Sequence, residues 1–225
     1  MHKFFKMAYI LCLETSTTNC SVSLCKDGKV IGFKEDYDTK YSHAERLHQF
    51  IKIVLEEASI GFKELNAIAV SKGPGSYTGL RIGVSSAKGL CYGLQIPLIS
   101  ISTLHSLAMQ IQCDKGYIVP MIDARRMEVY SAIFSKDYKQ ERSIEAEILV
   151  EDSYQSYLQN NEVCFIGNGV SKFSEICEHK NAKFFPEKLP SSKEMAILSY
   201  RKYVNKDFED VSYFEPYYLK DFVAG

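Results

Sequence analysis

Val70 to Gly83 reads VSKGPGSYTGLRIG, four glycines and a proline set between the apolar run LNAIAV and a segment with helical periodicity. A glycine-rich strand-to-helix turn is a common way to hold a phosphate, because glycine permits close backbone approach and a helix start offers free N–H groups. This stretch fails both standard fingerprints. A P-loop needs GxxxxGK[ST], and five residues after Gly73 comes Thr78, with no register that puts glycine at both ends before a lysine. A dinucleotide turn needs GxGxxG; Gly73 and Gly75 begin it, but Thr78 stands where the third glycine belongs. What remains is a turn in which Gly73 and Gly75 permit unusual backbone angles, Thr78 caps the following helix and Arg81 lies in its first turn, placed to assist an anion. An anion cradle and a plain tight crossover both satisfy these residues.

Upstream, MAYILCLE, CSVSLCKDG and KVIGFKEDY read as three strands, the last two joined at the Asp27-Gly28 turn. A helix follows, with Ser42 as N-cap, Glu45 three residues on, and Leu47, Ile51, Val54, Leu55 and Ala58 on one face. NAIAV is a buried strand, Leu80 to Leu94 a second helix and IPLISI another strand. From Tyr117 the order returns: YIVPMID, EVYSAIF and EAEILV as strands, EDSYQSYLQN as a helix, EVCFIG as a strand and GVSKFSEICEH as a helix. Two β-β-β-α-β-α units in tandem suit an α/β protein laid out like the actin, sugar-kinase and Hsp70 ATPases, and a single mixed α/β sheet with an accidental repeat also satisfies the order. The expected domains are 1–101 and 102–225, the second reduced, with the closing segment free to return to the first.

The composition narrows the class. With 225 residues, 46% of them hydrophobic and 24% charged, the chain can bury a substantial core. A net charge of -1 supplies no global basic field, which disfavours a free-standing nucleic-acid binder. The seven cysteines, Cys12, Cys20, Cys25, Cys91, Cys113, Cys164 and Cys177, form no CxxC pair and mostly fall in apolar runs, as small buried hydrophobes do in a reducing cytosol. No apolar segment reaches the ~20 residues of a membrane span, and MHKFFK is too short for a signal peptide, with Met7 opening the first strand pattern.

The second helix raises a separate question. Gly79, Gly83, Ser86, Ala87, Gly89 and Gly93 leave small residues over much of its surface, at a cost of up to about 1 kcal/mol per glycine in helix propensity. Close approach of another helix is the usual compensation. The stripe of the first helix is one candidate, a helix of another chain the second. The expected contact set is Leu47, Ile51, Val54, Gly79, Gly83, Ser86, Ala87 and Leu90.

Four stretches, ILCLETST (10–17), SKGPGSYTGLRIG (71–83), LISISTLHSLA (98–108) and IDARRMEVY (122–130), resemble the TsaB (YeaZ) family along essentially the whole chain. The resemblance implies the actin-like ATPase, ribonuclease-H-like fold. It also implies a role in the threonylcarbamoyl modification of adenosine 37 in tRNAs reading codons that begin with A. In that system TsaC makes the threonylcarbamoyl-adenylate, TsaD carries the transfer chemistry and TsaE is an ATPase. TsaB is the non-catalytic partner of TsaD. The expectations for this chain are no catalytic residue, no cofactor or metal of its own, ATP and metal in its partners, TsaD and TsaE as those partners, tRNA met through the complex, a homodimer when alone, and a cytoplasmic location.

The residues agree with a non-catalytic role. Catalytic members bind metal through HxxxH, whereas His43 and His48 here are five apart and project about 140° from each other on an ideal helix. In actin-like ATPases a carboxylate closing the first strand positions a hydrated magnesium; Glu14 holds that place, followed by the small polar TSTTN. In the second hairpin, DARRMEV, bulky Arg125, Arg126 and Met127 stand where glycines would admit phosphates. Asp123, Arg125 and Glu128 there suggest a structural charge network, and the two arginines could also meet tRNA phosphates or an acidic partner. The residues of a vestigial nucleotide site are then Glu14, Thr15, Ser16, Gly73, Gly75, Ser76, Thr78 and Arg81. The competing classes are a metal-dependent endopeptidase, which lacks ligands, and an autonomous ATPase or small-molecule kinase, which lacks a second phosphate hairpin. The aromatic tail SYFEPYYLKDF reads as packing against the core.

Overall fold

The computed structural model describes residues 7–37 and 43–220; Ser42, the MHKFFK extension and the last residues of the aromatic tail lie outside them. The chain divides into two compact units, one of residues 1–72, 76–101 and 191–216, the other of 73–75, 102–190 and 217–225. Residues 191–216, given to the second domain by the sequence boundaries, therefore group with the first.

In the first unit, β1 (Tyr9–Glu14), β2 (Cys20–Lys26), β3 (Lys29–Asp36), β4 (Ala67–Gly73) and β5 (Leu98–Ser102) form one sheet in the order β3-β2-β1-β4-β5. β1 pairs antiparallel with β2 and parallel with β4. The two faces of β2 have different jobs. Val22 and Leu24 point into the apolar core with Leu47, Ile51 and Val54 of α1 (His43–Glu57) and Val84 and Ala87 of α2 (Tyr77–Leu94). Ser21, Ser23 and Cys25 point the other way and receive a helix from the far end of the chain, Ser192–Val204. The Ser21 hydroxyl accepts from the Ser192 N–H at 3.0 Å, and the Ser23 hydroxyl donates to the Ser192 carbonyl at 2.8 Å. Beyond this helix the chain runs along β5, where the Glu209 N–H donates to the Leu98 carbonyl, and Val211 and Phe214 pack on the core.

The second unit repeats the plan. Its strands, β6 (Tyr117–Asp123), β7 (Glu128–Ser135), β8 (Gln140–Ile148), β9 (Val163–Ile166) and β10 (Ala182–Phe185), lie in the order β10-β9-β6-β7-β8. Counted within its own unit, each sheet runs third, second, first, fourth, fifth, and in both the first strand pairs antiparallel with the second and parallel with the fourth. The reduction lies in the helices. EDSYQSYLQN yields only α4 (Gln155–Leu158) and GVSKFSEICEH only α5 (Val170–Ser174). Large rings take their place in the core: Tyr154, Phe165 and Phe173 meet at centroid distances of 4.9 to 5.4 Å. Short α3 (Thr103–Ala108), strand β10 and the helix at Ser192–Val204, here α6, have no counterpart in the sequence expectation.

Candidate functional site

β1 delivers Glu14 to a fully buried position at the head of the turn into β2. Its Oε1 accepts from the Ser16 N–H at 2.7 Å and the Ser71 hydroxyl at 2.8 Å, while Oε2 is buried without a hydrogen-bond partner among the described residues. Burial raises the Glu14 carboxyl above its ordinary range against the opposing pull of its hydrogen bonds from Ser16, Ser71 and Thr15.

The rest of the turn is pressed against the start of α2. The Thr15 hydroxyl donates to the Gly79 carbonyl at 2.7 Å, and the Ser76 N–H donates to the Ser16 carbonyl at 2.6 Å. A Cβ on Gly79 would lie 2.0 Å from the Thr15 carbonyl oxygen, and one on Gly83 2.3 Å from the Thr15 hydroxyl. The helix N-cap is Ser76, whose hydroxyl accepts from the Gly79 N–H at 3.3 Å; the expected cap, Thr78, is two residues further on and exposed. On the opposite side His43 Nε2–H donates to the Thr17 carbonyl at 2.6 Å, a structural contact rather than a ligand position.

The nucleotide set is thus only partly assembled. Glu14, Thr15, Ser16 and Ser76 come together, and the Ser76 and Gly79 N–H groups at the helix start are taken up by the Ser16 carbonyl and the Ser76 hydroxyl. Arg81 is exposed and stacks on the Tyr77 ring 4.1 Å away. Gly73 and Gly75 group with the second unit; the positive φ falls at Gly73 (109°) and not at Gly75, and the Gly73 N–H donates to the Thr103 hydroxyl.

At the β6–β7 turn Arg125 and Arg126 are exposed with φ of 72° and 49°, left-handed conformations unusual for bulky side chains. The charge network there differs from the expected one. Asp123 pairs with Lys172 at 2.7 Å and Glu128 with Lys220, while Arg125 contributes its backbone N–H to Asp123 rather than its guanidinium.

The expected contact set also needs correction. Leu47, Ile51, Val54, Gly79, Gly83 and Ala87 are buried inside the first unit, Leu90 packs on the same core, and Ser86 faces the His48 ring at 3.5 Å. The outward stripe of α2 is Ser85, Gly89, Tyr92 and Gly93. Tyr92 is 76% exposed, and a Cβ on Gly89 or Gly93 would meet nothing within 4 Å among the described residues. Spacings of three and four residues would have separated this stripe from the buried glycines in the sequence.

The family profile described as TsaD, tRNA N6-adenosine threonylcarbamoyltransferase, matches residues 38–225. The chain is 30% identical over 228 residues to the tRNA threonylcarbamoyladenosine biosynthesis protein TsaB of Haemophilus influenzae, covering 96% of this chain and 94% of that one. The chain belongs to the TsaB (YeaZ) family. The Escherichia coli TsaB is 29% identical over 96% of both chains. Among solved structures, a Pseudomonas aeruginosa protein with similarity to peptidase YeaZ superposes with a TM-score of 0.82 at 25% identity, covering 95% of this chain and all of that one. A 2-hydroxyisocaproyl-CoA dehydratase activator from Clostridium difficile shares the fold alone, with a TM-score of 0.50 at 8% identity over 91% of this chain and 99% of that one. The fold is thus the actin-like ATPase fold, carried by a TsaB chain whose first turn is closed on its own helix.

In this TsaB chain Glu14 has a measurable signature. Its folded pKa lies above the unfolded value, so its contribution is fully favourable below about 4.5 and is lost as pH rises through the folded pKa. Glu14→Gln, which keeps a neutral side chain at every pH, is expected to remove that part of the pH dependence. Urea unfolding of both proteins from pH 4 upward checks it. Parallel curves would show that Glu14 is not held neutral.

Proposed function

We propose that this chain acts in the biosynthesis of threonylcarbamoyladenosine in tRNA as a non-catalytic partner of the transferase TsaD. The observation that carries the reading is the Thr15 turn, seated against Gly79 and Gly83 so that the first hairpin is engaged by its own helix. The names of the relatives supply the pathway. The exposed stripe Ser85, Gly89, Tyr92 and Gly93 is the docking face in this reading: two solvent-facing glycines weaken the helix with no neighbour of their own to accommodate. TsaE and tRNA join through the complex, and the same face pairs two copies when the chain is alone. The place of work is the cytoplasm; no helix among the described residues is long and apolar enough to cross a membrane.

The purified chain is expected neither to turn over ATP nor to modify tRNA, and to restore modification when added to TsaC, TsaD and TsaE. Gly89→Arg should leave the melting temperature within a few degrees of wild type while abolishing co-elution with TsaD and restoration of activity. Robust ATP hydrolysis by the chain alone sinks the non-catalytic role, and full restoration by the Gly89 variant moves the docking face elsewhere.

A further inference from the structure

The second unit gathers two thiols and a carboxylate that the proposed function does not use. Glu162 and Cys164 lie two residues apart on extended chain, which puts both side chains on one face. Cys113 reaches them from the loop between α3 and β6, 51 residues earlier in the chain. That loop is drawn in tightly: Gly116 has φ of 100°, a Cβ there would lie 2.0 Å from the Glu162 carbonyl oxygen, and the Tyr117 N–H donates to the same oxygen at 3.0 Å.

The two sulfurs are 3.3 Å apart, and Glu162 Oε1 lies 3.8 Å from Cys113 Sγ and 3.9 Å from Cys164 Sγ. A triangle of those sides has a centre about 2.1 Å from all three atoms, close to the ~2.3 Å of a zinc–sulfur bond and the ~2.0–2.2 Å of a zinc–carboxylate bond. The other carboxylate oxygen, Oε2, is held by Lys183 Nζ at 2.5 Å, as an outer partner holds a ligating carboxylate. We propose that Cys113, Cys164 and Glu162 bind one thiophilic divalent cation of the zinc class, with water in the fourth position.

Thiolate ligands select such a cation over magnesium or calcium. The charges balance, because the ion's two positive charges and the Lys183 ammonium offset two thiolates and one carboxylate. Binding releases the two thiol protons to solvent and involves no electron transfer. A disulfide is the other chemistry open to a close thiol pair, but it has no use for a carboxylate within reach of both sulfurs. Bound metal would fix the loop before β6 to β9.

Cobalt(II) reports the site directly. The full chain, stripped with chelator and kept reduced with a phosphine, is expected to take up one Co2+ with a thiolate-to-cobalt band in the near ultraviolet, which Zn2+ then displaces. Cys113→Ser and Cys164→Ser should each reduce the band and weaken binding at least tenfold. Glu162→Gln, at a half-buried position, should keep the band and weaken cobalt binding measurably. Absence of a thiolate band in folded wild-type protein overturns the proposal, as does a band unchanged in the serine variants. Mass spectrometry showing a Cys113–Cys164 disulfide on mild oxidation, together with no cobalt uptake by the reduced chain, assigns the pair to redox chemistry instead.

Discussion

Gly79→Ala, the addition of one methyl group, is expected to lower the stability of the fold by about 3 kcal/mol, the upper end of the range for overpacking. The new Cβ would meet a backbone carbonyl, that of Thr15, at 2.0 Å, and a backbone cannot rotate away as a long side chain can. Gly83→Ala is the instructive companion. Its Cβ meets the Thr15 hydroxyl at 2.3 Å, a side-chain group held by its bond to the Gly79 carbonyl. Thr15→Ala should therefore rescue much of the Gly83 defect and none of the Gly79 defect, apart from a loss of about 1 kcal/mol for the hydrogen bond itself. A double-mutant cycle by urea denaturation measures both couplings. Near-wild-type stability of Gly79→Ala would mean that the turn does not seat on the helix. Larger replacements at Gly83, an arginine among them, belong with the unfolding variants and cannot serve as probes of partner docking.

The second large effect is expected in the other unit, where Glu147 accepts from Arg142 Nη2 at 2.5 Å and from the hydroxyls of Ser131 and Tyr154. Both charged side chains are only 22% exposed. Removing one partner leaves the other charge poorly solvated, so Arg142→Ala is expected to cost about 3 kcal/mol at neutral pH. The sign of the pH dependence is opposite to that of Glu14. Burial alone would raise the Glu147 carboxyl, but hydrogen bonds from Arg142, Ser131 and Tyr154 hold it below its ordinary range. Its contribution is present above about 4.5 and is lost as pH falls through the folded pKa. Glu147→Gln should flatten the acid limb of the stability curve. A change below ~0.5 kcal/mol in Arg142→Ala, the size typical of surface substitutions, would show the network to be surface decoration.

The strands were legible because β1, β2, β6 and β7 carry nearly continuous apolar or alternating runs, and tight turns delimit them. α6 was not, and the reason is visible in its packing. It meets the sheet through Ser192, Ala196 and Ser199 against Ser21, Ser23 and Cys25, and these serines interrupt the stripe that Met195 and Leu198 would otherwise make on its buried side. β10, four residues long, gives too short a run for periodicity. In the candidate site the residue types pointed to Glu14, Thr15, Ser16 and Ser76, while Ser71, which donates to Glu14, passed unnoticed because its alignment comes from the parallel pairing of β4 with β1. Gly79 and Gly83 announce close approach, but a glycine does not say what approaches; the neighbour proved to be the Thr15 turn.

Because α6 closes the face of β1 and β2 that carries Ser21, Ser23 and Cys25, the first unit is finished only after most of the second has been made. Lys26, the end of β2, is made 165 residues before Ser191, with residues 102–190 of the second unit translated in between. At ~5–20 residues per second that interval is on the order of 10–30 s. Through it the nascent sheet carries a bare row of hydroxyls and a thiol on one side, Ser21, Ser23 and Cys25. The hydroxyls of β2 tolerate water beside Ile10 and Cys12 of β1, which share that face, and so limit the apolar surface open to aggregation during synthesis.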